Sequence, residues 1–265
     1  MLQFQPTRRC GTLGHRRRRI VWALFWQGQQ QQPTKDGNSA ARALFEHALE
    51  IEPNNTDALA GAAYTYFLEY VLGWTTADTD YDLQILGRTD RAIALAPDNI
   101  WAYYVKSQYL VNSRRPNEAL SAADAGLALN PNDPPLLRVR GLAEIYLERF
   151  EQGKSDILNA MRISPRDPRI GLWQMNLGDA ELGLGHFDAA IENYQKAIDA
   201  GFRSYIPYRS LAAAYALGGK MDEARSALAE ARRLNPKLTV KWMQAHSASL
   251  AAALEGLRKA GLPEE

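Results

Sequence analysis

Cysteine is nearly missing. Cys10 stands alone among 265 residues, so no internal disulfide can form. No apolar run approaches the roughly 20 residues that a membrane-spanning helix needs, which argues against a membrane span. Acidic side chains are absent from residues 1–34, which hold six arginines. The rest of the chain reverses that balance, with 25 basic and 30 acidic residues, and gives no reason to expect a nucleic-acid partner. Catalytic constellations are missing as well. His15, His47, His186 and His246 are scattered, with no cysteine or carboxylate at metal-ligand spacing. His47 and Glu50 share a helix face, where a solvated pair explains them. Gly178, Gly183 and Gly185 have the wrong spacing for a phosphate loop. Met161, Met175, Met221 and Met243 read as core fillers. The expectation is a non-enzyme with no catalytic, cofactor-binding or metal-binding residues.

What is present is a period. Hydrophobic content is 46%, enough for a folded body. Between Gly171 and Pro236 two segments superimpose at an offset of 34 residues. Leu177 falls on Leu211, Gly178 on Ala212, Gly185 on Gly219, Ala190 on Ala224, Tyr194 on Leu228 and Ala197 on Ala231. Small residues at i, i+7 let helix axes approach closely. Gly185 and Gly219 stand where a first helix ends and a tight turn must follow. Tyr194 and Leu228 are the larger plugs between helices. This period and pattern resemble the tetratricopeptide repeat, a helix–turn–helix unit, from about Ser39 to Pro236.

The expected fold is all-α: a right-handed superhelical solenoid of about six repeats, with a C-terminal capping helix. Residues 35–236 hold the repeats and 237–265 the cap and tail. Residues 1–34, with the Arg16–Arg19 run and a glutamine tract, read as an atypical, disordered leader, in preference to a signal peptide or a nucleic-acid tail. The first repeat has a second helix marked by Ala41, Phe45 and Ala48. Its first helix would come from around Trp22 to Gln32, a poor partner, so that repeat looks incomplete. In repeat two, a first helix over Thr56–Trp74 and a second over about Tyr81–Ala96 leave ten extra residues, placed in the turn T-T-A-D-T-D. Pro97, Pro131 and Pro165 follow at a spacing of 34, each ending a second helix. Asp133 should cap the helix that begins at Pro134. Trp242, Leu250, Leu254 and Leu257 mark the cap.

In the repeat family that the chain resembles, first helices line a concave face through the second, fifth and ninth positions. The resemblance places Tyr64, Trp101, Tyr104, Gln108, Arg138, Met175, Asp179 and Arg209 in such a groove. Trp, Tyr and Arg dominate binding hot spots, so this lining suits an extended peptide or a partner helix. Core packing of Trp101 and Tyr104 between neighbouring helices is the competing reading, and both stay open here. Relatives that clamp a C-terminal carboxylate use Lys, Asn and Arg at set positions. This chain has Asp57, Ala60, Trp101 and Tyr104 at comparable places, which speaks against that ligand. The stretch from Thr34 to Asn55, the long second repeat and the ending L-E-G-L-R-K-A-G-L-P-E-E also look like the C-terminal half of bacterial adenylate/guanylate cyclase fusions. That resemblance implies a bacterial, cytoplasmic scaffold or a regulatory half whose partner is a cyclase catalytic domain, with a gene fragment as one origin. No paired metal-binding aspartates are present to carry cyclase chemistry.

Overall fold

The computed structural model describes residues 12–31, 34–74, 79–202, 204–246 and 251–265. Among these residues all regular structure is helical. The chain divides into two compact units, residues 1–106 and 107–265, and helix α5 (Ile100–Asn112) runs across the boundary.

The first unit contains α1 (Thr12–Gln29), α2 (Lys35–Ile51), α3 (Thr56–Val71), π-helical turns over Asp82–Gly87, α4 (Arg88–Leu95) and the start of α5. The leader expectation is corrected over residues 12–29, which are helix. Val21, Leu24, Phe25 and Gly28 recur at i, i+3, i+4 and i+7, the spacing of one helix face. Val21 and Leu24 pack with Ala48 and Ala58. Phe25 meets Phe45 with ring centroids 5.9 Å apart. A Cβ on Gly28 would stand 2.7 Å from the Phe45 ring, and so would one on Gly61, so the bare backbones of α1 and α3 clasp that ring. The first repeat is therefore a complete helix pair. Thr34 caps α2 by accepting from the Gly37 amide, and Asn55 caps α3 by accepting from Ala58.

The second helix of the second pair starts at Tyr81, as its sequence pattern predicts, but winds as π-helix before becoming α at Arg88. Tyr81 donates to Glu69 at 3.0 Å, and Arg42 reaches both Glu69 and Thr65, tying α2 and α3 to this segment. Residues 75–78 of the turn expected to hold the extra residues lie outside the described residues.

The second unit continues with α6 (Pro116–Leu129), α7 (Pro134–Tyr146), α8 (Phe150–Ile163), α9 (Ile170–Gly183), α10 (Phe187–Asp199), α11 (Tyr205–Leu217), α12 (Met221–Leu234), α13 (Val240–His246) and α14 (Ala251–Ala260). The hairpins α7–α8, α9–α10 and α11–α12 pack internally, and α6, α8 and α10 also pack on the helix that opens the next hairpin. This stacking is the way repeats bury apolar faces that they cannot bury alone. Asp133 caps α7 through the Leu136 amide at 3.0 Å. Ala190, Ala197, Ala224 and Ala231 are all fully buried, beside Tyr194 and Leu228. Gly185 and Gly219 have φ of 77° and 80°, the left-handed turn their positions call for.

The cap is two helices rather than one. Leu238, Val240, Met243, Leu257 and Leu262 form one core with Ala212, Ala213, Ala224 and Leu228. Helix α14 lies against α11 so closely that a Cβ on Gly256 would stand 2.5 Å from the Ala213 carbonyl. The tail is stitched to α13 by Val240 N–H to Pro263 O and Lys241 N–H to Glu264 O. Leu250 lies outside the described residues.

Candidate protein-binding site

Six of the eight residues expected to line a groove fall into two clusters, one in each unit. In the first unit, Trp101 and Tyr104 stand one turn apart on α5, which stacks their rings at 5.3 Å and 23°. Tyr64 on α3 completes the group, 5.0 Å from Trp101. Trp101 rests on Leu59, Ala60, Ala92 and Ala102. Its Nε1 is buried and finds no hydrogen-bond acceptor among the described residues. Tyr104 is buried to 3% exposure, whereas Tyr64 and Trp101 remain partly open.

In the second unit, Arg138 on α7, Asp179 on α9 and Arg209 on α11 come together on the first helices of three consecutive hairpins. Helix α9 touches both of the others. Arg138 Nη1 donates to Asn176 Oδ1 at 3.1 Å, and Tyr194 donates its hydroxyl to Asp179 Oδ1 at 2.9 Å. Burial pushes the Asp179 carboxyl up to about 6, against the opposing pull of Tyr194, Arg209 and Asn176. Tyr146, at the end of α7, rises to about 12 through burial and the nearby Asp179, with Arg209 and Arg138 acting the other way. Burial and Asp179 also hold the Tyr194 phenol well above its ordinary range. The cluster thus combines two guanidinium forks, one poorly solvated carboxyl and two phenols. Of this set only Asp179 and Tyr146 reach solvent in part, while both guanidinium groups, Asn176 and Tyr194 are buried.

Five of the expected groove residues are buried rather than open. Arg138 is 2% exposed, Tyr104 and Met175 are each 3%, Gln108 is 6% and Arg209 is 9%. Met175 packs with Leu182, Ala190, Tyr194 and Leu211, which makes it a core side chain. Helical position numbers fix the row on which a residue sits but not the depth of its side chain. The pattern also did not reveal Tyr146, Asn176 and Tyr194 as members of the polar cluster. Tyr194 carries an interhelical plug's spacing, and nothing local signals that its hydroxyl reaches Asp179, 15 residues earlier. Among the described residues no three His, Cys, Asp or Glu side chains are grouped to hold a metal ion. No described helix is long and apolar enough to cross a membrane.

A family model described as tetratricopeptide repeat matches residues 175–238, the region of α9 to α12. The chain is 27% identical over 144 residues to a DnaJ homolog subfamily C member 7 homolog of Schizosaccharomyces pombe, covering 50% of this chain and 29% of that protein. It is 32% identical over 106 residues to small glutamine-rich tetratricopeptide repeat-containing protein 2 of Mycosarcoma maydis, covering 37% of this chain and 29% of that protein. The chain thus spans under a third of the length of either relative. In fold it is similar to a thermophilic TPR protein of Thermus thermophilus, with TM-score 0.53, 22% identity, and coverage of 76% of this chain and 97% of that one. These likenesses define an all-helical repeat fold of the tetratricopeptide kind, a class that generally mediates protein–protein interaction and scaffolding.

Proposed function

We propose that this protein is a non-catalytic interaction module that takes a peptide or partner helix along the first helices of its second unit. The observation that supports this is the alignment of Arg138, Asp179 and Arg209 on α7, α9 and α11, with Asn176, Tyr146 and Tyr194 hydrogen-bonded or electrostatically coupled to them. Asp179 and Tyr146 are the partly exposed members of the cluster, and the buried Arg138 and Arg209 supply positive charge behind them that favours an acidic segment. The Tyr64–Trp101 pair offers aromatic surface in the first unit for a ring of the same ligand class. The test uses the full chain against an array of acidic and neutral helical peptides. Arg209→Gln should weaken binding of the selected peptides at least tenfold, about 1.4 kcal/mol, with the helical signal retained. Undiminished binding by a folded Arg209→Gln protein would remove α11 from the site.

A second reading makes the chain the regulatory half of a nucleotide cyclase. Its support is the sequence likeness of residues 34–55 and 254–265 to cyclase fusions, segments that form α2 and the α14 tail. Adding the chain to a class III cyclase catalytic domain should then change its turnover. Unchanged turnover at saturating chain would remove this reading.

A further inference from the structure

Helix α1 has an inward face, built by Val21, Leu24, Phe25 and Gly28, and a different outward one. Arg18, Arg19, Ile20, Trp22 and Trp26 are all exposed, with Trp22 at 65% and Trp26 at 47%. Trp22 and Trp26 are one turn apart and meet edge to face at 6.0 Å, and Arg18 lies one turn before Trp22 on the same stripe. Two large rings in water are costly unless something covers them. The charge around them is one-sided. Residues 1–34 carry six arginines and no acid, while residues 35–106 carry eleven acidic and five basic side chains.

The geometry points to a second interaction surface, separate from the α7–α9–α11 cluster: the outward face of α1 docks on an anionic lipid surface. A single helix face with arginines at one end and tryptophans along the stripe matches the chemistry of an interfacial helix, whose rings settle at headgroup level while the cations meet lipid phosphates and carboxylates. A nucleic acid would need cationic contacts continuing over more of the protein to follow its phosphates. Here the acidic surplus of residues 35–106 works against that. A folded protein partner would need a groove or pocket for the indoles. The stripe itself is a convex helix surface. Within the first unit the acidic surplus of residues 35–106 also favours a contact limited to α1.

The test is flotation of the full chain with vesicles of phosphatidylcholine alone and of phosphatidylcholine mixed with phosphatidylserine. The chain should float with the mixed vesicles and not with the neutral ones, and 0.5 M salt, roughly three times physiological ionic strength, should reduce the bound fraction. Trp22→Ala with Trp26→Ala, and separately Arg18→Gln with Arg19→Gln, should each lower partitioning at least tenfold at an unchanged helical signal. If the tryptophan pair variant loses helix, doxyl-labelled lipid supplies the readout on the unaltered chain, whose fluorescence should be quenched by mixed vesicles. Absence of flotation with phosphatidylserine, or equal flotation of both folded variants, overturns the proposal. Binding of an oligonucleotide that depends on the same four residues, without vesicle binding, overturns it in favour of nucleic acid.

Discussion

Gly141 and Gly153 stand back to back across the α7–α8 hairpin. A Cβ on Gly141 would lie 2.7 Å from the Gly153 carbonyl oxygen, and one on Gly153 would lie 2.6 Å from the Gly141 carbonyl oxygen. The obstacle in each direction is backbone, which cannot rotate aside as a side-chain tip can. Gly141→Ala and Gly153→Ala should each destabilise by about 1–3 kcal/mol, the usual cost of overpacking. Urea unfolding followed by circular dichroism measures this. Midpoints equal to that of the unaltered protein would mean that the two helices do not approach this closely.

Arg114 and Glu148 occupy the turn position that Gly185 and Gly219 fill later in the chain. Their φ values are 63° and 61°, in the left-handed region that disfavours a Cβ. Glu148 is exposed, so its side chain gains no burial in return. Glu148→Gly should stabilise by about 0.5–1 kcal/mol, the steric relief exceeding the added entropy of an unfolded glycine. A shift of the urea midpoint upward at constant slope is the expected result. A lower midpoint would show that Glu148 contributes something the strain does not outweigh.

Asp179 ties stability to pH. Its folded-state carboxyl is raised from 3.8 to about 6 by burial. The folded chain therefore holds this proton more tightly than the unfolded chain, and stability falls as pH rises between those two values. Below 3.8 the contribution is level, and above about 6 the full cost of a buried charge is present. Two pKa units correspond to at most about 3 kcal/mol. Asp179→Asn keeps an oxygen for the Tyr194 hydroxyl and removes the charge. It should raise the melting temperature at pH 7.5 and leave it nearly unchanged at pH 4, on the order of one unfolded-state pKa. Parallel melting curves for both proteins across that range would refute the assignment.

Much of this architecture is legible in the amino-acid order, and the limits are physical. Ala190, Ala197, Ala224 and Ala231 could be placed because each must fit one narrow gap, and that gap recurs every 34 residues. Asp133 as a cap is legible because an acceptor before Pro134 has one local job. The helix α1 was hidden by its surroundings. The arginine run and glutamine tract dominate the composition, although Val21, Leu24, Phe25 and Gly28 keep a helical spacing. The polar cluster was half visible. Arg138, Asp179 and Arg209 follow from the repeat register, but their coupling to Tyr146 and Tyr194 depends on how deeply each side chain sinks between helices. Met175 shows the same limit from the other side, since its register is that of a surface row and its side chain is core.

The packing of α14 on α11 bears on the order in which the second unit assembles. Hairpins such as α11–α12 join neighbours in sequence and close short loops, which costs little chain entropy and is fast. The cover over Ala213 must instead reach back past α12 and α13 before Gly256 can meet it. Loop closure for that contact spans more chain than for any single hairpin, so the cap should dock after the repeat beneath it has formed. Until then Ala212, Ala213 and Leu228 lack their partners from α13 and α14. The last repeat thus spends its early life with an apolar edge open, and α14 acts as a latch that shuts it.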